Sequence, residues 1–192
     1  KATEVVNFAQ GELMMVGAYI NFYFVTTFLA QSGEPTIGVF FLAFAGSIIF
    51  SFVFGWVLDW VINRPLKDEP IFSVIMATIS LSIILRALVA IIAGPMSLIP
   101  YSPFGNRVLS LNGIIISALD LSIIFSAIVL VTIFYYFFNK TKWGIAMQAT
   151  SEDPVAAQLM GIPVKRVYGL VWIFSALVAT ISGILLAPRM SL

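Results

Sequence analysis

The chain is 192 residues long, 60% hydrophobic and only 10% charged, with a formal net charge of +1. Soluble domains hold about 45–50% apolar and about 25% charged residues, so this composition excludes a water-covered globular domain and makes lipid the solvent. The absence of cysteine and histidine excludes disulfides, thiolate or imidazole metal sites, Ser-His triads and the usual general base near neutral pH. No basic run of the kind that binds nucleic acid is present.

In chain order, the first feature is a polar run, Asn7-Phe8-Ala9-Gln10-Gly11-Glu12, directly before an apolar stretch. It reads either as an interfacial helix start or as a broken helix at membrane depth, which is tolerated only where protein or a water-filled cavity surrounds it. In the second case Asn7, Gln10, Gly11 and Glu12 line a translocation pathway. The stretch before it lacks the short apolar run and small-residue cleavage site of a signal peptide, so none is expected there.

A membrane span needs roughly 20 mostly apolar residues. Five segments meet or approach this, at about 13–30, 37–58, 71–93, 114–138 and 167–187. Lipid offers the backbone no hydrogen-bond partner, so spans are helices or closed barrels. Segments such as Phe40-Phe41-Leu42-Ala43-Phe44-Ala45 lack the alternation of barrel strands. The expected fold is therefore all-α, a polytopic transmembrane helix bundle in one domain covering 1–192. The chain opens at Lys1 and stops at Arg189-Met190-Ser191-Leu192, just past a span, and reads as a fragment.

Loop cations set the expected orientation. Arg64 and Lys67 lie between the second and third spans, and Lys140, Lys142, Lys165 and Arg166 between the fourth and fifth. The first loop has no Lys or Arg, and the third has only Arg107. The positive-inside rule then puts the second and fourth loops in the cytoplasm. Trp56, Trp60, Tyr135, Tyr136, Trp143 and Tyr168 stand at span ends, as interfacial anchors do.

Two charges fall within spans. Arg86 and Asp120 each sit about 10 Å below the outer end of their helices at 1.5 Å per residue. As consecutive antiparallel spans, the third and fourth are expected to pair these two charges, either as a neutral structural tie or as part of a substrate site. Ser47, Ser51 and Gly55 in one span, and Ser175, Ala179 and Gly183 in another, repeat at helical spacing and predict close helix packing.

The fourth loop, 139–166, carries helix punctuation. Asp153 can cap, Pro154 suits the first helical position and Gly161 suits a left-handed stop. The two turns between them, with Val155 and Leu159 on one face, predict a short helix that rests on its own membrane domain or docks in a partner's groove.

This stretch, Ala149-Thr150-Ser151-Glu152-Asp153-Pro154-Val155-Ala156-Ala157-Gln158-Leu159-Met160-Gly161-Ile162, resembles the coupling loop of branched-chain amino-acid permeases of ATP-binding-cassette importers. Val6 to Leu13 followed by Gly17-Ala18-Tyr19 agrees, as do Asn63-Arg64-Pro65-Leu66 and Leu81-Ser82-Ile83-Ile84-Leu85. The chain departs from the family at Gln10, where His is usual, and at Arg86, where a neutral Gln is common. The resemblance implies the middle of a permease in the inner (cytoplasmic) membrane, paired with an identical or different second permease, two ATPase subunits and an extracytoplasmic substrate-binding protein. It also implies that Glu152, Asp153, Pro154, Ala156, Ala157, Leu159, Met160 and Gly161 meet the ATPase.

The chain has no Gly-x-x-x-x-Gly-Lys-Ser/Thr motif, so it cannot cradle nucleotide phosphates in the P-loop manner. ATP, the only cofactor implied, belongs to a partner, and no enzyme activity or metal is expected here. The alternatives are a urea or amide permease of the same superfamily and an ion-coupled secondary transporter.

Overall fold

The computed structural model describes residues 7–32, 37–66, 69–94, 108–111 and 114–190. Val6, Lys67, Arg107 and the closing Ser191-Leu192, all used above, lie outside them. The elements are α1 (Gln10–Ser32), α2 (Ile37–Leu58), α3 (Ile71–Ala93), β1 (Val108–Leu111), β2 (Ile114–Ser117), α4 (Ala118–Lys140), α5 (Lys142–Glu152), α6 (Pro154–Leu159) and α7 (Val164–Met190). Five of the helices are long and apolar enough to cross a membrane, so the helical, multi-span expectation stands.

The helices α1 and α7 each run two or three residues past the expected bounds at both ends, and two further boundaries differ for a structural reason. The fourth span begins at Ala118 rather than 114, because residues 114–117 pair antiparallel with 108–111, Leu111 opposite Ile114 and Val108 opposite Ser117. An apolar β-branched run reads alike in a span and in a strand. Ser117 ends the strand and starts the helix, its Oγ accepting from the Leu119 amide at 3.3 Å. The sequence between the strands, Asn112-Gly113, is the pair that two-residue hairpins prefer, and it is the signal that hydropathy alone passes over. The second boundary is that of α2, which continues into one π-helical turn, Asp59–Asn63. There the Arg64 amide donates to the Asp59 carbonyl at 2.9 Å, five residues back.

The core is the contact of α1, α2 and α7, with α3 packed on α1. Small residues make it possible. A Cβ added at Gly55 would lie 2.9 Å from the Ile173 Cα and 3.1 Å from the Ala176 Cβ, and one at Gly183 would strike the Met14 backbone. Ser47 and Ser51 are buried, bonded to Asn21 and Thr180 respectively. Both small-residue seams therefore carry helix packing. Lipid tails are as apolar as the side chains, so close backbone approach and interhelical hydrogen bonds supply what hydrophobic burial supplies in water.

α1 starts deep in this bundle. Gln10 Nε2 donates to the Ser175 carbonyl at 3.3 Å, and Ser175 Oγ donates to Gln10 Oε1 at 2.6 Å. Ser175 lies 11 residues past the first residue of α7, roughly 16 Å along its axis.

Candidate functional site

Two regions carry the polar chemistry, the buried start of α1 and the α5–α6 corner between α4 and α7.

At the first, Asn7 closes the open helix end. Its Oδ1 accepts from the Ala9 amide at 3.0 Å and its carbonyl from the Gln10 amide at 3.4 Å. Gln10 is held by Ser175, while Gly11 faces open space. Glu12 is only 8% exposed, and its Oε1 accepts from Arg86 Nη2 at 2.6 Å. The Arg86 side chain is itself 74% exposed. The expected Arg86–Asp120 pair is not formed, since Asp120 pairs with Arg189 at the far end of α7. The physical reason is lateral order. Leu81 and Leu85 place α3 against Ala9 and Leu13 of α1, which brings Arg86 to Glu12. α4, entered through the hairpin, meets α7 and α5 instead. Sequential spans need not be neighbours.

A third ionic group was visible in the sequence only as a span end. Asp59 is buried and accepts from Asn63 Nδ2 at 2.7 Å and from Arg64 Nε at 3.2 Å. The π turn brings residues five apart onto one face, which ordinary helical spacing does not. Gly169 of α7 leaves room for the Asp59 carboxylate, 3.0 Å from where a Cβ would stand.

The α5–α6 corner holds more structure than the single short helix expected. Thr141 Oγ1 accepts from the Gly144 amide at 3.0 Å and starts α5. Gly144 packs against the backbone of Phe137 and Phe138, where no side chain fits, and Gln148 Nε2 donates to the Phe138 carbonyl at 3.3 Å. Gly144, Met147 and Thr150 form the buried stripe of α5. The cap residue and this three-residue spacing are the signals that could have revealed it.

Asp153 then caps α6, its Oδ1 accepting from the Val155 and Ala156 amides at 2.9 and 3.0 Å, with Pro154 at the first position. Gly161, at φ 85°, ends it. Glu152, Asp153, Pro154, Ala156 and Gly161 are exposed, and Leu159 and Met160 are 83% and 84% exposed. Ala157 is 4% exposed. Two residues from both Val155 and Leu159, it lies about 200° around the helix and is turned inward, so it anchors the rod rather than presenting a surface.

The arrangement sorts the chain's two ends. Arg64, Trp143, Lys165 and Arg166 line one cavity, so the second and fourth loops share one end of the bundle, while Asp120 and Arg189 meet at the other.

Five membrane-length helices among the described residues, with polar groups tied in pairs along them and a short capped helix between two spans, define the class: a multi-pass membrane protein. The family described as branched-chain amino acid transport system / permease component matches residues 1–191, and the chain belongs to it. It is 30% identical over 190 residues to the high-affinity branched-chain amino acid transport system permease protein BraD of Pseudomonas aeruginosa, covering 96% of this chain and 62% of that protein. It is 26% identical over 189 residues to the permease protein LivH of the corresponding Salmonella typhimurium system, covering 95% of this chain and 60% of the relative. The chain thus spans about three fifths of the length of these relatives. No solved structure matches it significantly.

Proposed function

We propose that the chain forms the membrane path of an importer that carries branched-chain amino acids across the cytoplasmic membrane, driven by ATP hydrolysed on a separate subunit. The supporting observation is α6. It is stopped at both ends, anchored by buried Ala157, and offers Val155, Leu159 and Met160 outward in the most basic loop. An isolated six-residue helix is marginal in water. Fixed between α5 and α7, it is a ready surface for an ATPase groove. Glu152 and Asp153 meet basic groups at the rim, where exposed pairs are worth about 0–1 kcal/mol, so the apolar face carries the affinity. A second permease completes the path, and an extracytoplasmic binding protein delivers the amino acid.

Asn7, Gln10, Gly11 and Glu12 line that path from the deep start of α1. A charge as exposed as Arg86 at such depth is costly against lipid and belongs at a water-filled cavity or a protein neighbour. Glu12, Asp59 and Asp120 each pair with an arginine, whereas an ion-coupled carrier requires carboxylates that bind or release its ion. The substrate is inferred from the relatives, which are branched-chain amino acid permeases, and competition of leucine uptake by valine or isoleucine but not by urea distinguishes it from an amide permease.

The decisive experiment is copurification of the full-length permease in mild detergent. Leu159→Glu with Met160→Glu, both fully outward, is expected to release the ATPase and abolish uptake while leaving the permease folded. Retention of the ATPase by that variant would overturn the assignment.

A further inference from the structure

A cavity of about 730 Å³ opens where α2, α4, α5 and α7 converge. Its walls are apolar and aromatic: Trp56, Phe137, Leu170, Ile173 and Phe174, with Trp143 from α5. Phe137 and Phe174 close its deep side, ring centroids 4.7 Å apart. Its mouth is cationic. Among the described residues, Arg64, Lys165 and Arg166 line it with one carboxylate, Asp59, which Arg64 already engages. Among the described residues, the side chains of Lys165 and Arg166 make no hydrogen bond or ion pair.

The order of these groups along α7 is informative. Lys165 and Arg166 lie in its first turn, while Ile173 and Phe174 are two turns further in, roughly 12 Å deeper. Charge at the boundary and aliphatic depth below it match one ligand shape, a phosphate headgroup followed by an acyl chain. A free anion would use the mouth and leave the aromatic walls wet. A zwitterionic lipid would bring its own cation against two unpaired ones. We propose that this cavity is a binding site for one anionic phospholipid, its phosphate held by Lys165 and Arg166 and its chain laid against Phe137, Ile173 and Phe174. Basic pockets between transmembrane helices at the membrane boundary recognise such headgroups. Because Trp143 lies in the first turn of α5 and Lys165 in the first turn of α7, the lipid contacts both elements that hold the α6 corner. The proposal rests on the cavity and its charges and stands independently of any ATPase contact.

The test is native mass spectrometry of the full-length permease, released from detergent in the presence of phosphatidylglycerol or phosphatidylcholine of matched acyl chains. Retention of one phosphatidylglycerol in preference to phosphatidylcholine is expected. The Lys165→Gln, Arg166→Gln variant should lose that preference, at about fivefold per cation removed. Both residues are exposed, so the variant should fold, and detergent thermal stability checks this. A second variant, Phe174→Trp, narrows the acyl slot without altering charge and should lower retention of phosphatidylglycerol while leaving inorganic phosphate without effect. Equal retention by wild type and the charge variant would overturn the proposal.

Discussion

α4 and α7 are equally apolar spans, yet 39% of the α7 window is buried inside the protein and none of the α4 window is. The difference is composition at fixed spacing. α7 brings Ala176, Ala179, Thr180 and Gly183 to its neighbours, and α1 and α2 answer with Gly17, Ser51 and Gly55. Along α4, from Leu121 to Tyr136, large side chains such as Phe125, Ile128, Val131 and Ile133 point outward. In lipid, hydropathy reports only that a helix spans. Which face is inside is reported by the small and polar residues.

The sharpest way to break this contrast is at the tightest contact. Gly183→Leu, whose first carbon already collides with the Met14 backbone, should cost about 3 kcal/mol or more, read as loss of the folded permease in detergent unfolding. Ile128→Leu on α4 should stay within about 0.5 kcal/mol.

Next in size is the ion pair. Arg86→Gln leaves Glu12 buried without its partner and should cost about 1–3 kcal/mol. The Arg86→Gln, Glu12→Gln double variant should be milder than the sum of its singles, whereas Arg86→Gln with Asp120→Asn should be additive. A full double-mutant cycle in unfolding free energy checks both.

The smallest effect is expected for Thr180→Val, which removes the hydroxyl bonded to Ser51. Interhelical hydrogen bonds in membranes average about 0.6 kcal/mol, and a change well above 2 kcal/mol would show that the seam depends on polar bonding more than on close approach.

The same contrast explains what could be read beforehand. α3 begins and ends where hydropathy puts it, at Ile71 and Ala93, and α2 starts at Ile37 as expected. Length and apolarity are local properties of the chain. The caps at Asp153 and Gly161 were legible for the same reason. The partner of Arg86 was not, because the lateral order of helices is a tertiary fact. Hydropathy alone could not tell Ile114–Ile116, which pairs with Leu109–Leu111, from the start of a span. α5 escaped because 11 residues with a stripe as short as Gly144, Met147 and Thr150 give periodicity little room. The inward turn of Ala157 needed α6 to be placed, since a small side chain suits a buried anchor and a docking face alike.

Asp153 serves two helices at once. Its amide donates to the Ala149 carbonyl at the end of α5, and its carboxylate receives the first amides of α6. With no spacer residue between them, the two rods meet at an elbow that has no slack. Leu159 and Met160 are thereby joined without a linker to α5 and the foot of α4 on one side, and through the Gly161 turn to α7 on the other.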